Sequence, residues 1–245
     1  MSDIVEDLIA KTMAELSEPE KPQQRSRVWK DPKGYTYLVQ WSNAVLLRYF
    51  IRLYTNSLPK AEYRRKAQLD DAARSVVRNI EEGYKRATTS EYTEFIGFSQ
   101  GSLEEVGGDI RELTEDGFLP SKPSSSLQGI GISLQDFHNA LRAKYHTVKE
   151  IKGMLEDEKE AKNPQYSPRS FTPAQQITYI PLSVLYPPLG KITAEDLTYE
   201  IFIELINKTD FLLRKLVESL ERKLTNEQKY YRVEQERIKD KVKLK

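Results

Sequence analysis

The stretch Arg74-Ser-Val-Val-Arg-Asn-Ile-Glu-Glu-Gly-Tyr-Lys-Arg86 decides the fold. Val76, Ile80 and Gly83 recur at steps of three and four, with Val77 and Tyr84 beside them. That is the period of one helix face and not of a strand. Leu69 and Ala72 extend the seam upstream, so the spacing predicts a helix from near Lys60 to Arg86. Before it, Leu38, Trp41, Val45, Tyr49 and Leu53, widened by Leu46 and Phe50, predict a helix over 35–57 that ends at Leu58-Pro59. After it, Thr88-Thr89-Ser90-Glu91 reads as a turn in which Thr89 or Ser90 caps a helix over 91–115. That third helix carries Tyr92, Phe95, Ile96, Leu103, Val106, Ile110 and Leu113 on one side, and Gly117 near C′ stops it. A loop over 121–131 leads to a fourth helix over 132–162, with Leu134, Phe137, Leu141, Val148, Ile151 and Leu155 close to a heptad seam.

These four helices predict an all-α protein, an up-and-down antiparallel four-helix bundle over 34–162. Residues 1–33 form an N-terminal extension in which Ile4, Leu8 and Met13 suit a short amphipathic helix before Pro19 and Pro22. The segment 163–193 holds six prolines, too many for a helix. Its Ile177, Tyr179, Ile180, Leu182, Val184, Leu185 and Tyr186 are too apolar for a free linker, so it is expected to pack on the bundle. Thr193 then caps an extra C-terminal helix within 194–245, with Leu197, Ile201, Leu205, Leu212, Leu216 and Leu220 along one side and a charged tail.

Composition narrows the chemistry. The chain has no cysteine among its 245 residues, so it has neither disulfides nor a thiolate metal site. No apolar run reaches the ~20 residues that span a bilayer, and the acids Asp3, Glu6 and Asp7 at the start are the reverse of a secretory signal. A cytoplasmic protein without a membrane partner is expected. A net charge of +1 gives no overall attraction to polyanions, so nucleic-acid binding would need a local patch.

The residues Asn79-Ile80, Glu82-Gly83, Glu94-Phe95 and Gly101-Ser102-Leu103 carry a family pattern. Over about 35–160 the chain resembles the four helix bundle protein family, also called the 23S rRNA intervening-sequence proteins. The family's run is roughly R-A-A-x-S-I-P-x-N-I-A-E-G, followed by E-F-x-x-F-L and G-S-L-x-E-L. Val77 stands where the family has proline and Glu81 where it has alanine. Residues 195–235, through Asn207–Leu216 and Tyr231-Arg232, resemble the suffix segment that follows the bundle in some members. The resemblance implies small, non-enzymatic proteins that assemble into rings. A related, strongly basic branch serves diversity-generating retroelements and binds nucleic acid with a reverse transcriptase, whereas this chain is nearly neutral.

Candidate sites follow from charge and glycine placement. Arg74, Arg78 and Lys85 fall near one line of the second helix, and with Arg64, Arg65, Lys66 and Arg86 they make it the most basic of the four. A phosphate-facing ridge is one reading; a solvated or intersubunit face with Asp70–Arg74 and Glu82–Arg86 pairs is the other. On the third helix Glu105, Asp109, Glu112 and Asp116 share a stripe. Four carboxylates suit Mg²⁺ only if a second acidic helix faces them, and no second cluster is evident. An acidic face meeting the basic face of the second helix, within or between chains, fits better. His138 and His146 lack the glutamate three residues earlier that a di-iron bundle needs, and read as surface or rim residues. Neither a metal nor a cofactor is implied. Gly83 and Gly101 read as close helix approaches, with Asn79 an interior polar anchor; Gly107-Gly108 has no account. Lys229, Tyr230, Tyr231 and Arg232 offer rings beside cations for nucleic acid or a partner.

Three functions stay open at this point. The leading one is a non-catalytic oligomeric scaffold, a homo-oligomer that engages RNA, DNA or a nucleic-acid enzyme. The second is a protein–protein adaptor docking through the suffix. The third is a Mg-dependent nucleotide phosphohydrolase.

Overall fold

The computed structural model describes residues 27, 31, 33–144 and 180–243, the side chains of 227 and 230–243 excepted. Among the described residues every regular element is helical. The long ones are α1 (Val39–Thr55), α2 (Tyr63–Lys85) and α3 (Thr89–Glu115). The described part of α4 covers 134–144; α5 is Leu182–Leu185 and α6 is Tyr199–Lys243. The short helix expected before Pro19 lies outside the described residues, as does the rest of the extension 1–33 except Arg27, Asp31 and Lys33, and so do Val148, Ile151, Leu155, Ile177 and Tyr179.

Side-chain pairs give the register. Trp41 donates to Glu81 while Arg52 reaches Asp70, so α1 and α2 run antiparallel. Ser99 donates to the Val76 carbonyl at 2.9 Å and Arg65 pairs with Asp116 at 2.8 Å, so α2 and α3 do too. The Tyr199 amide donates to Pro120 beyond the end of α3, and Phe202 packs edge-on against Tyr54 at the end of α1. The bundle is therefore α1–α2–α3–α6, each antiparallel to its neighbours.

The sequence places the fourth wall at 132–162 and treats the C-terminal helix as an addition. In the structure α6 packs along both α1 and α3, with Ile201, Phe202, Leu205 and Leu213 fully buried. At about 1.5–3 kcal/mol for each such side chain, that face is enough to hold it there. Its first turns are fastened to the preceding loop: Glu200 accepts from the Lys122 amide and Glu204 from the Leu127 amide, both at 2.8 Å. α4, capped by Ser133, packs on the outside of α1, burying Phe137 and Leu141. His138 is not a rim residue. It is buried, and its Nδ1 lies 2.6 Å from the Ser42 hydroxyl; burial first, then Arg142, lowers its pKa from the ordinary value.

Caps follow the sequence closely but not completely. Thr88, one residue before the expected position, is the N-cap of α3 and forms a capping box with Glu91. At the other end Gly117 has φ +76°. Its amide and that of Phe118 bond the Thr114 and Leu113 carbonyls, a Schellman closure. Thr193 and Asp196 form their capping box on the short 3-10 turn Ala194–Asp196, and α6 starts only at Tyr199. The described end of the Pro-rich segment does pack: Tyr186, Leu189 and Ile192 are buried. It contains α5, a helical turn that the prolines did not suggest.

Candidate functional site

Gly83, at the centre of the decisive stretch, is a packing residue. A Cβ there would stand 2.7 Å from the Phe95 Cβ and 2.9 Å from the Tyr92 ring, distances that real side chains do not tolerate. Arg27 then closes the end of α2, donating to the Gly83 and Arg86 carbonyls at 3.1 Å while its guanidinium lies 4.1 Å from the Tyr92 ring centre. Asn79 does not share in this contact. It is half-buried and makes no side-chain hydrogen bond among the described residues. Gly101 departs further: it is exposed, and its Cβ would meet open space.

The acidic stripe of α3 divides. Asp109 turns inward, where Gln68 donates to it at 3.4 Å. Burial, then the nearby Glu105 and Glu112, raises the pKa of its carboxyl. Asp116 pairs with Arg65 of α2. Glu105 and Glu112 remain exposed. Part of the expected α2–α3 complementarity thus operates within the chain. Among the described residues no group of three or more His, Cys, Asp or Glu side chains is placed to hold a metal.

Outside these pairs α3 presents a surface that is bare among the described residues. Gly97, Gly101, Gly107 and Gly108 all have open space where a Cβ would stand. Phe98 lies between the first two with 52% of its surface exposed, edge-on to Phe95. Glu94, Glu104 and Glu105 are exposed along the same helix.

The basic residues of α2 separate into two groups. Arg86 lies 4.0 Å above the Phe95 ring, towards α3. Arg74, Arg78 and Lys85 follow the side towards α1, with Lys85 5.4 Å from the Tyr35 ring centre. There the structure adds two arginines of α1, Arg48 and Arg52, to the basic residues that the sequence singles out. They edge a groove of about 170 Å³ with Val45, Tyr49, Val77 and Leu182. Arg52, Arg74 and Arg78 each approach one carboxylate: Asp70 at 4.0 Å, Asp71 at 3.8 Å and Glu81 at 2.8 Å. The Asp70–Arg74 pair expected from spacing is replaced by Asp70–Arg52, while Glu82–Arg86 forms at 4.0 Å. Arg48 is half-buried and forms no ion pair among the described residues. Burial first, then Arg52, Arg78 and Arg74, lowers its pKa, opposed by Asp70.

α6 continues well past the bundle. At ~1.5 Å per residue, α3 is about 40 Å long and α6 about 68 Å, and Leu220 is the last buried residue described along it. Lys229 is exposed on this overhang, and the side chains of Tyr230, Tyr231 and Arg232 lie outside the described residues. No described helix is long and apolar enough to cross a membrane.

Residues 37–139 match the family model described as 23S rRNA-intervening sequence protein. No curated protein and no solved structure matches the chain.

Proposed function

We propose that the chain, whose residues 37–139 match the family model described as 23S rRNA-intervening sequence protein, is a non-catalytic helical-bundle scaffold working as a homo-oligomer. The observation that carries the reading is the bare outer surface of α3. A glycine inside a helix costs about 1 kcal/mol relative to alanine, and among the described residues nothing packs over Gly97, Gly101 or Gly108. A helix of a second copy lying across Phe98 would use the close approach that these glycines permit. Asp109 and Asp116 are occupied within the chain, so this contact depends on shape and apolar area more than on charge.

Light-scattering mass tests it. The expected result is a discrete oligomer that persists at high salt and falls to single chains in Phe98→Glu. A wild-type protein that stays monomeric at all concentrations overturns the reading. The overhang of α6 favours a second role, an adaptor that holds another protein along its C-terminal half. Truncation after Thr225 would then remove partner binding without changing the mass of the assembly.

A further inference from the structure

We propose that the groove between α1 and α2 binds the phosphates of a nucleotide chain, with Arg48 as its central guanidinium. Arg48 and Arg52 stand one turn apart on α1, and Arg74 and Arg78 one turn apart on α2. The antiparallel register sets Arg48 across from Arg74, between the Arg52–Asp70 contact at one end and the Arg78–Glu81 pair at the other. Asp70 and Glu81 sit towards the ends of the groove and Asp71 beside Arg74, while Arg48 is half-buried beside three other arginines and forms no ion pair among the described residues.

Such an arrangement is unfavourable in the free chain. Like charges are held together, and one is partly removed from water. An anion entering the groove relieves both costs. Guanidinium is the side chain best matched to phosphate, because its planar fork donates two parallel hydrogen bonds. Cations repeating every ~6 Å along two helices suit an anion that also repeats, which a phosphodiester chain does. Val45, Val77 and Leu182 supply an apolar lining against which a sugar or base can rest. Arg48 gives little signal in the sequence because it sits inside an apolar run. Its partner one turn on, Arg52, was the available signal.

The test uses the full chain with three probes: inorganic phosphate, AMP and a short fluorescent oligouridylate. Arg48→Gln is compared with Arg214→Gln, which removes the same charge from the exposed Arg214–Asp210 pair on α6. The expected result is oligouridylate binding that weakens with salt, falls about tenfold in Arg48→Gln and is unchanged in Arg214→Gln. Phosphate or AMP raising the melting temperature of wild type but not of Arg48→Gln, with no added affinity for the oligonucleotide, assigns the site to a free nucleotide instead. If Arg48→Gln does not fold, the exposed Arg74→Gln carries the same comparison. Binding that Arg48→Gln and Arg74→Gln leave intact, or the absence of binding by all three probes, overturns the proposal.

Discussion

The two sides of α3 use the same residue for opposite ends. On the inner side, Gly83 of α2 lets Tyr92 and Phe95 come so close that no Cβ fits between the helices. On the outer side, Gly97, Gly101 and Gly108 face nothing among the described residues. The first glycine is explained by contacts already made. The others lower helix stability and return nothing until a second surface arrives. Glycine inside a helix therefore marks either a finished contact or a pending one, and only the neighbouring atoms tell which.

Substitutions on each side sharpen the contrast. Leu103→Ala, in the buried inner seam, should cost about 2–5 kcal/mol, read as a lowered urea midpoint. Gly83→Ala should cost about 1–3 kcal/mol, because the Phe95 Cβ cannot move without its helix; a variant as stable as wild type would remove the inner half of the comparison. Gly101→Ala should do the reverse, raising the stability of the dilute chain by about 1 kcal/mol while reducing the mass of the assembly. A gain in stability with unchanged mass would mean that the outer glycines serve no contact.

The smallest effect lies on the boundary, at Asp109. Its carboxyl pKa is raised by burial and then by Glu105 and Glu112. The stability it contributes is present below the ordinary carboxylate range of about 4 and is lost as pH rises through the folded value. Asp109→Asn keeps a carbonyl for Gln68 and adds no charge. Its advantage over wild type in urea melts should grow as pH rises from about 4, and a constant difference across pH would contradict this.

Helices α1 to α3 were legible because each buries a single periodic seam, and because Gly117 and the Thr88–Glu91 turn carry local signatures. The role of α6 was less so. Its periodicity announces a buried side but not which helices cover it, and a nearer amphipathic stretch, 132–162, competes for the same place. Gly83 and Gly101 looked alike because spacing locates a residue on a seam without showing how near the opposing backbone comes. His138 reads as a rim residue because a lone histidine in a helix has no periodic signal; the structure buries it with the Ser42 hydroxyl as its partner. Asn79 reads as an interior polar anchor from its nearness to Gly83, and nearness along a helix does not supply a partner.

The placement of α6 also orders events in time. Three walls of the bundle, residues 39–115, are adjacent in the chain, but the fourth begins at Tyr199. At 5–20 residues per second, synthesis takes roughly 4–17 s to travel from the end of α3 to the start of α6. For that interval Tyr54 lacks the Phe202 ring that later packs edge-on against it. Refolding from denaturant must close the same long connection, so docking of α6 should be the slow, nonlocal phase that follows rapid pairing of α1, α2 and α3. A nascent chain caught in this window exposes an apolar trough that a second unfinished chain could enter with its own α6, a route to exchanged dimers set by gene order rather than by sequence.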